Sequence, residues 1–175
     1  MSELARKIEA LLFIASSPVD EKELKAALQV SLKEIKAALD ELKFLLETEN
    51  HGIFLKELAG GWTLETKPEL SELVGNFRNT AKLKRLSLSK AVIEVLTIIA
   101  YKQPTTRKFI EEIRGVDCHS PIARLLSLGL IKISDREQYR VPIYSTTKKF
   151  LELFGINAIE NLPKLEEITE EEKII

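Results

Sequence analysis

With 175 residues, 45% of them hydrophobic and 30% charged, the chain has the make-up of a soluble globular protein, long enough for one domain or two small ones. Its apolar runs are short and interrupted, which excludes a membrane-spanning helix; Glu3 and Glu9 do not suit a secretory signal; and the single cysteine, Cys118, excludes an internal disulfide framework and fits a reducing cytoplasm. The net charge of −1 is unevenly spread, with ten basic against fourteen acidic side chains in residues 1–80, fourteen against seven in 81–154 and two against six in 155–175, so the middle suits phosphate or an acidic protein segment.

Leu4, Ile8, Leu11, Leu12 and Ala15 recur at helical spacing and predict an amphipathic first helix, broken near Pro18. Phe13 and Ile14 fall off that stripe. They are either sunk in the domain's own core or left as a face for self-association. Asp20 with Glu23 and Ser31 with Glu34 each form a capping-box pattern that opens a further helix. The second helix carries Leu24, Ala27 and Leu28. The third carries Ile35, Ala38, Leu39, Leu42 and Leu46 and stops before Asn50-His51-Gly52. Ile53–Leu58 and Trp62–Thr66 alternate around Ala59-Gly60-Gly61, which predicts a hairpin. Pro68 to Phe77 suits a short helix with Pro68 at its first position. The charged, apolar-poor stretch from Asn79 to Lys84 then marks a boundary.

Val92, Val95, Leu96, Ile99 and Ala100 predict the next helix, ended by Pro104. Thr105 or Thr106 caps another, with Phe109, Ile110 and Ile113 expected inward and a stop at Gly115. Ser120-Pro121 reads as N-cap and first position of a third helix through Ile122, Leu125, Leu126 and Leu128. Gly129 supplies a left-handed C-cap, and Leu130–Ile133 leaves it as a strand. Asp135 to Gln138 is expected to turn the wing, and Pro142 to confine the returning strand to an edge. Thr146 or Thr147 caps a last helix with Phe150, Leu153 and Phe154, ended by Gly155; the glutamate-rich tail beyond Lys164 is expected to fray.

Three helices and a strand pair make the plan of a winged helix-turn-helix domain. That plan occurs twice, with Ile8–Ala15 aligning on Ile93–Ala100 and Pro18 falling near Pro104. The expected fold class is therefore mainly α with small β wings, in two tandem winged helix-turn-helix domains. The domains span 1–78 and 88–155, with a linker at 79–87 and an acidic, partly disordered tail at 156–175.

No catalytic constellation is evident, and no catalytic, cofactor-binding or metal-ligating residues are assigned. Adjacent Cys118 and His119 lack partners at metal spacing, and Cys118 as a nucleophile lacks a base. Gly60-Gly61 is followed by no Lys-Ser/Thr and is not a phosphate loop. A base-reading helix is not evident either. The third helix of the first half mixes Lys33, Lys36 and Lys43 with Glu34, Asp40, Glu41 and Glu47, and that of the second offers little beyond Arg124 and Ser127. Non-specific phosphate contact through Lys82, Lys84, Arg85, Lys90, Arg107 and Lys108 stays open.

The run Leu96 to Gly115, LTIIAYKQPTTRKFIEEIRG, followed by Val116-Asp117 and the leucine-rich helix ending Leu128-Gly129-Leu130-Ile131, resembles segregation and condensation protein B, the accessory subunit of the bacterial SMC–kleisin condensin. Pro142 to Gly155, PIYSTTKKFLELFG, and Ile159 to Ile168, IENLPKLEEI, resemble it as well. Two stretches depart from the family pattern. Cys118-His119-Ser120-Pro121 stands where small polar residues are usual, and Tyr139-Arg140-Val141-Pro142 where the family wing has Gly-Arg-Pro.

The resemblance implies a non-enzymatic, cofactor-free homodimer formed through the first domains, for which Phe13 and Ile14 are candidates. It implies that the dimer grips the middle segment of the kleisin subunit, which bridges the SMC ATPase, in chromosome condensation and segregation during the cell cycle and cell division. It also implies a cytoplasmic, nucleoid-associated protein with no membrane contact, while the lack of a base-reading helix leaves at most weak, non-specific DNA binding. Within the basic second half, Tyr101, Lys102, Arg107, Arg114 and Arg124 are the expected kleisin contacts, since an aromatic with arginines is the usual make-up of a binding hot spot. Arg114, just before Gly115, could equally satisfy helix C-terminal carbonyls. The competing expectation is a DNA-binding transcriptional regulator with paired winged helices.

Overall fold

Ser2 opens the first helix, α1 (Glu3–Ile14), by accepting a hydrogen bond from Ala5 N on its hydroxyl. Both capping boxes form. Asp20 Oδ1 accepts from Lys22 N and Glu23 N at 2.8 Å each, while Glu23 Oε2 accepts from Asp20 N, opening α2 (Glu21–Leu28). Ser31 N donates to Glu34 Oε2 at 2.8 Å at the head of α3 (Leu32–Thr48). Each box satisfies backbone donors that a helix start leaves orphaned. The computed structural model describes residues 1–48, 50–80, 87–136 and 141–164. It divides into two compact units, Met1–Arg85 and Leu86–Ile175.

In the first unit, β1 (Ile53–Leu58) pairs antiparallel with β2 (Gly61–Thr66), Leu58 facing Gly61. The turn is therefore two residues, Ala59-Gly60, with φ of 51° and 74°, the left-handed pair that matches hairpin twist. Gly61 belongs to the strand and not to the turn. Val19 lies beside it, exchanging hydrogen bonds with Trp62 at 3.0 and 2.8 Å. A Cβ on Gly61 would meet the backbone of Pro18 and Val19 at 3.0 Å. The core gathers Ala5, Ile8, Leu24, Ile35, Leu39, Leu42, Leu46 and Leu55. A 3₁₀ turn (Pro68–Leu70) leads into α4 (Ser71–Thr80), whose Leu73 and Phe77 are exposed.

In the second unit, α5 (Lys90–Lys102) buries Val92, Val95, Leu96, Ile99 and Ala100. Around it stand β3 (Thr105–Thr106), α6 (Arg107–Arg114), α7 (His119–Ser127), β4 (Ile131–Arg136), β5 (Pro142–Thr146) and α8 (Lys148–Phe154). Thr106 caps α6 and Thr147 caps α8, and Gly115, Gly129 and Gly155 all take positive φ. With this order each unit is a winged helix: three helices, then an antiparallel strand pair.

Several expectations change on contact with the structure. Of the α6 residues expected inward, only Ile110 is buried; Phe109 and Ile113 remain 41% and 50% exposed. An eight-residue helix laid over α5 and β5 covers one row of side chains, and those two lie on neighbouring rows. Leu153 and Phe154 of α8 are likewise exposed, leaving Phe150 as its buried anchor. Helix α7 starts at His119, so Ser120-Pro121 sit inside its first turn. Asp117 Oδ2 accepts from His119 N at 3.1 Å and starts the helix early, and a proline in a first turn removes no intrahelical bond.

The sheet order is β3-β5-β4, so the strand of Pro142 is central and not an edge. The proline is tolerated because β3 pairs only with Tyr144 and Ile143 and ends short of it. Strand β4 runs on through Asp135 and Arg136, past a bulge after Ile133. Any wing turn therefore lies outside the described residues, with Tyr139 and Arg140. Residues 81–86 of the expected linker, including Lys82, Lys84 and Arg85, and residues 165–175 of the expected tail also lie outside them. Residues 156–164 belong to the domain, since Ile156, Ile159 and Leu162 pack against its core. The residue match between the two first helices is out of register with the fold. Ile8 is buried but Ile93 is half exposed, whereas Ala5, Ile8 and Leu12 correspond in burial to Val92, Val95 and Ile99.

We expect Ile110→Ala to cost about 2–5 kcal/mol through the cavity it leaves, and to do so in the second unit alone. Chemical denaturation followed by hydrogen exchange should show that unit's transition moving while the first stays in place. A single shared transition for both units would refute their independence.

Candidate interaction surfaces

The turn between α6 and α7 is organised by one carboxylate. Glu111 Oε1 accepts from the backbone N of buried Cys118 at 3.0 Å and from Arg107 Nε at 2.6 Å. Arg107 also pairs with Asp117 and reaches His119 Nδ1 at 3.5 Å. The Cys118 N–H, followed by the Arg107 guanidinium, holds the Glu111 carboxyl below its ordinary range, and the Glu111 hydrogen bond holds Arg107 more firmly charged.

Arg114 extends this framework across to α5. Its Nη2 and Nε donate to Glu94 Oε2 at 2.8 and 3.2 Å, its Nη1 donates to Cys118 Sγ at 3.4 Å, and its side chain is only 12% exposed. It serves an interhelix ion pair and not the carbonyls at its own helix end. Tyr101 is also engaged, its hydroxyl donating to Pro163 O at 2.7 Å.

Three of the five expected contact residues are thus built into the second unit's own framework. Lys102 and Arg124 are exposed, and their side chains make no hydrogen bond or ion pair with any described residue. The five do not form one cluster: Arg107 and Arg114 converge on the α6–α7 turn, Tyr101 sits under the C-terminal segment, and Arg124 stands on α7.

What charge patterning did not reveal is an apolar surface. Ile93, Thr97, Ile98 and Ile113 line an open groove between α5 and α6, with the Glu94–Arg114 pair at its wall. Phe109 and Val116 are also exposed on and beside α6, at 41% and 55%. Across the α5 ridge, Thr97 and Tyr101 line a second groove with Phe150, Phe154, Leu162 and Pro163. The available signal was that Ile93 falls one helical step off the buried row, as Phe13 and Ile14 do in α1.

Among the described residues of the first unit those two are the most exposed apolar side chains, at 80% and 79%, ahead of Leu73 and Phe77 on α4 and Phe44 on α3. Among the described residues no group of three His, Cys, Asp or Glu could hold a metal ion, and no helix is long and apolar enough to cross a membrane. Cys118 is fully buried.

Because the folded Glu111 pKa lies below its unfolded value, its charge stabilises the fold above about pH 4. That contribution is lost as pH falls through the lower, folded value. Glu111→Gln should lower the melting temperature at pH 7, with the gap from the parent closing below about pH 4. A gap of unchanged size at pH 3 would show that the carboxylate charge is not what holds the turn.

A family model for segregation and condensation complex subunit ScpB matches residues 6–165. Segregation and condensation protein B of Myxococcus xanthus is 41% identical over 165 residues, 93% of this chain and 49% of that protein. Its counterpart in Syntrophotalea carbinolica is 38% identical over 170 residues, covering 96% of this chain and 85% of that one. The chain therefore spans about half the length of the first relative and most of the second. Among solved structures, a dimer of the ScpB N-terminal domain complexed with ScpA peptide is 35% identical over 42% of this chain and 91% of that one, with a TM-score of 0.40.

Proposed function

The chain belongs to the family of segregation and condensation complex subunit ScpB, and on that premise we propose that it works without catalysis, as a homodimer holding a segment of the kleisin subunit. Through the kleisin it joins the SMC ATPase in chromosome condensation and segregation, in the cytoplasm at the nucleoid. The observation that carries this reading is the distribution of exposed apolar side chains, which a protein working alone in water has reason to cover. The first unit presents Phe13 and Ile14 at one helix end, and the second presents Ile93, Ile113 and Val116 beside a groove.

Phe13 and Ile14 seat the second copy. Ile93, Ile98 and Ile113 receive apolar side chains of an amphipathic kleisin segment, while Lys102 meets acidic residues at its flank. Tyr101, Arg107 and Arg114 act mainly from behind, holding α5, α6 and the C-terminal segment in place. Arg124 stands on α7, in a different setting. The acid-bearing α3 and an α7 without Asn or Gln give no support to a base-reading regulator.

Calorimetric titration of the full chain with the central segment of the same organism's kleisin tests this reading. Binding should weaken by about 1–3 kcal/mol in Ile113→Asp, with circular dichroism unchanged. An undiminished affinity would move the interface elsewhere, and no binding by the parent chain would end the proposal. Sedimentation equilibrium should report a dimer for the parent and a monomer for Phe13→Ser/Ile14→Ser. A monomeric parent at micromolar concentration would remove the dimer.

A further inference from the structure

The exposed side chains of the second unit sort by chemistry. The large apolar ones include Ile93 on α5, Phe109 and Ile113 on α6 and Val116 after it, whereas α7 exposes none. The solvent face of α7 is His119, Ser120, Ala123, Arg124 and Ser127, and the helix HSPIARLLS contains no carboxylate. The acids next to it are already engaged: Glu111 and Asp117 pair with Arg107, Glu112 with Lys108, and Glu94 with Arg114.

A second cation is brought to the end of this face by the fold. The Thr147 hydroxyl donates to Gly129 O at 2.6 Å and its N–H to Leu130 O at 3.1 Å. These bonds draw the first turn of α8 against the corner where α7 passes into β4. Lys149 Cδ lies 3.8 Å from where a Gly129 Cβ would be, and Arg124 and Ser127 stand on the last turns of α7. Arg124 and Lys149 are both exposed, and neither has a carboxylate within ion-pair distance among the described residues. Glu152, one turn further along α8, is the nearest acid in sequence.

We propose that this face, with Arg124, Lys149 and the hydroxyl of Ser120, contacts the sugar–phosphate backbone of duplex nucleic acid without reading bases. Cations and hydroxyls on a low-relief surface are what phosphate contacts use. A protein partner needs a buried aromatic or aliphatic anchor, and α7 exposes none; the large apolar side chains stand on α5 and α6, at Ile133 on β4 and at the far end of α8 in Leu153 and Phe154. The third helix is also the element that a helix-turn-helix fold turns toward a duplex. With one arginine and no Asn or Gln the face holds position on the backbone but cannot discriminate sequence. The proposal is independent of kleisin binding, and it removes Arg124 from the expected kleisin contacts.

Fluorescence anisotropy of the full chain against a labelled 30-base-pair duplex of random sequence tests it, in 50 and 200 mM salt. The parent should bind with a Kd on the order of 10⁻⁴–10⁻⁶ M and weaken steeply with salt. Arg124→Ala/Lys149→Ala should flatten the log–log salt slope by about 2, roughly one for each phosphate no longer neutralised, while Arg124→Lys/Lys149→Arg keeps it. Kleisin affinity and melting temperature should be unchanged in both. Absence of binding by the parent at 50 mM salt overturns the proposal, as does an unchanged slope in the alanine pair. One enriched motif in a selection from random duplexes overturns the absence of base reading. Loss of kleisin binding with duplex binding intact assigns Arg124 to the protein interface and overturns it as well.

Discussion

A helix-turn-helix needs its second and third helices held at a fixed angle by very little chain, and in the second unit that burden falls on the Glu111 carboxylate. The turn from Gly115 to Cys118 sinks Cys118 completely, so its backbone N–H must find an acceptor inside the protein or suffer the full penalty of desolvation. Glu111 Oε1 supplies the acceptor, and Arg107 neutralises the charge that comes with it. With the turn fixed, α7 places Ile122 and Leu125 in the core around α5. That packing exposes the opposite row, Ser120, Ala123 and Ser127. Every surface assigned to the second unit depends on that placement.

The residues that look most like a binding set are therefore mostly the scaffold that creates one. Arg107 and Arg114 have the chemistry of interface anchors, but each is engaged by a carboxylate of its own unit. An arginine held this way is not available to a partner without leaving that carboxylate unpaired. The surface free to bind is the one that the ion pairs stabilise: the groove of Ile93, Ile98 and Ile113 on one side and the α7 face on another.

The two units share an element order and differ in what they leave open. In the first, the third helix runs for 17 residues and carries acids along its exposed side; in the second it spans nine residues and carries none. The first wing is a hairpin with a single bridge from Val19, while the second is a three-stranded sheet in which Thr105 and Thr106 add an outer strand. The second unit also has α8 and the segment through Leu162 closing its core. These differences separate a unit with an exposed aromatic helix end from one offering a groove and a polar face.

Much of the chain was legible from its letters because local chemistry decided it. Capping boxes at Asp20 and Ser31, threonine caps at 106 and 147, and left-handed glycines at 115, 129 and 155 are short-range events. The family pattern from Leu96 to Asp117 is likewise a string of neighbours. What surrounds each element was not legible. Periodicity shows that a helix has an apolar face but not how wide a face its neighbours cover, so Phe109 and Ile113 read as core and are half exposed. Spacing cannot show that Arg114 meets Glu94 twenty residues away, or that Tyr101 meets Pro163 sixty-two residues away. Those pairings exist only once helices and sheet have packed, and it is packing that divides the cations into those consumed by the fold and those left for a partner.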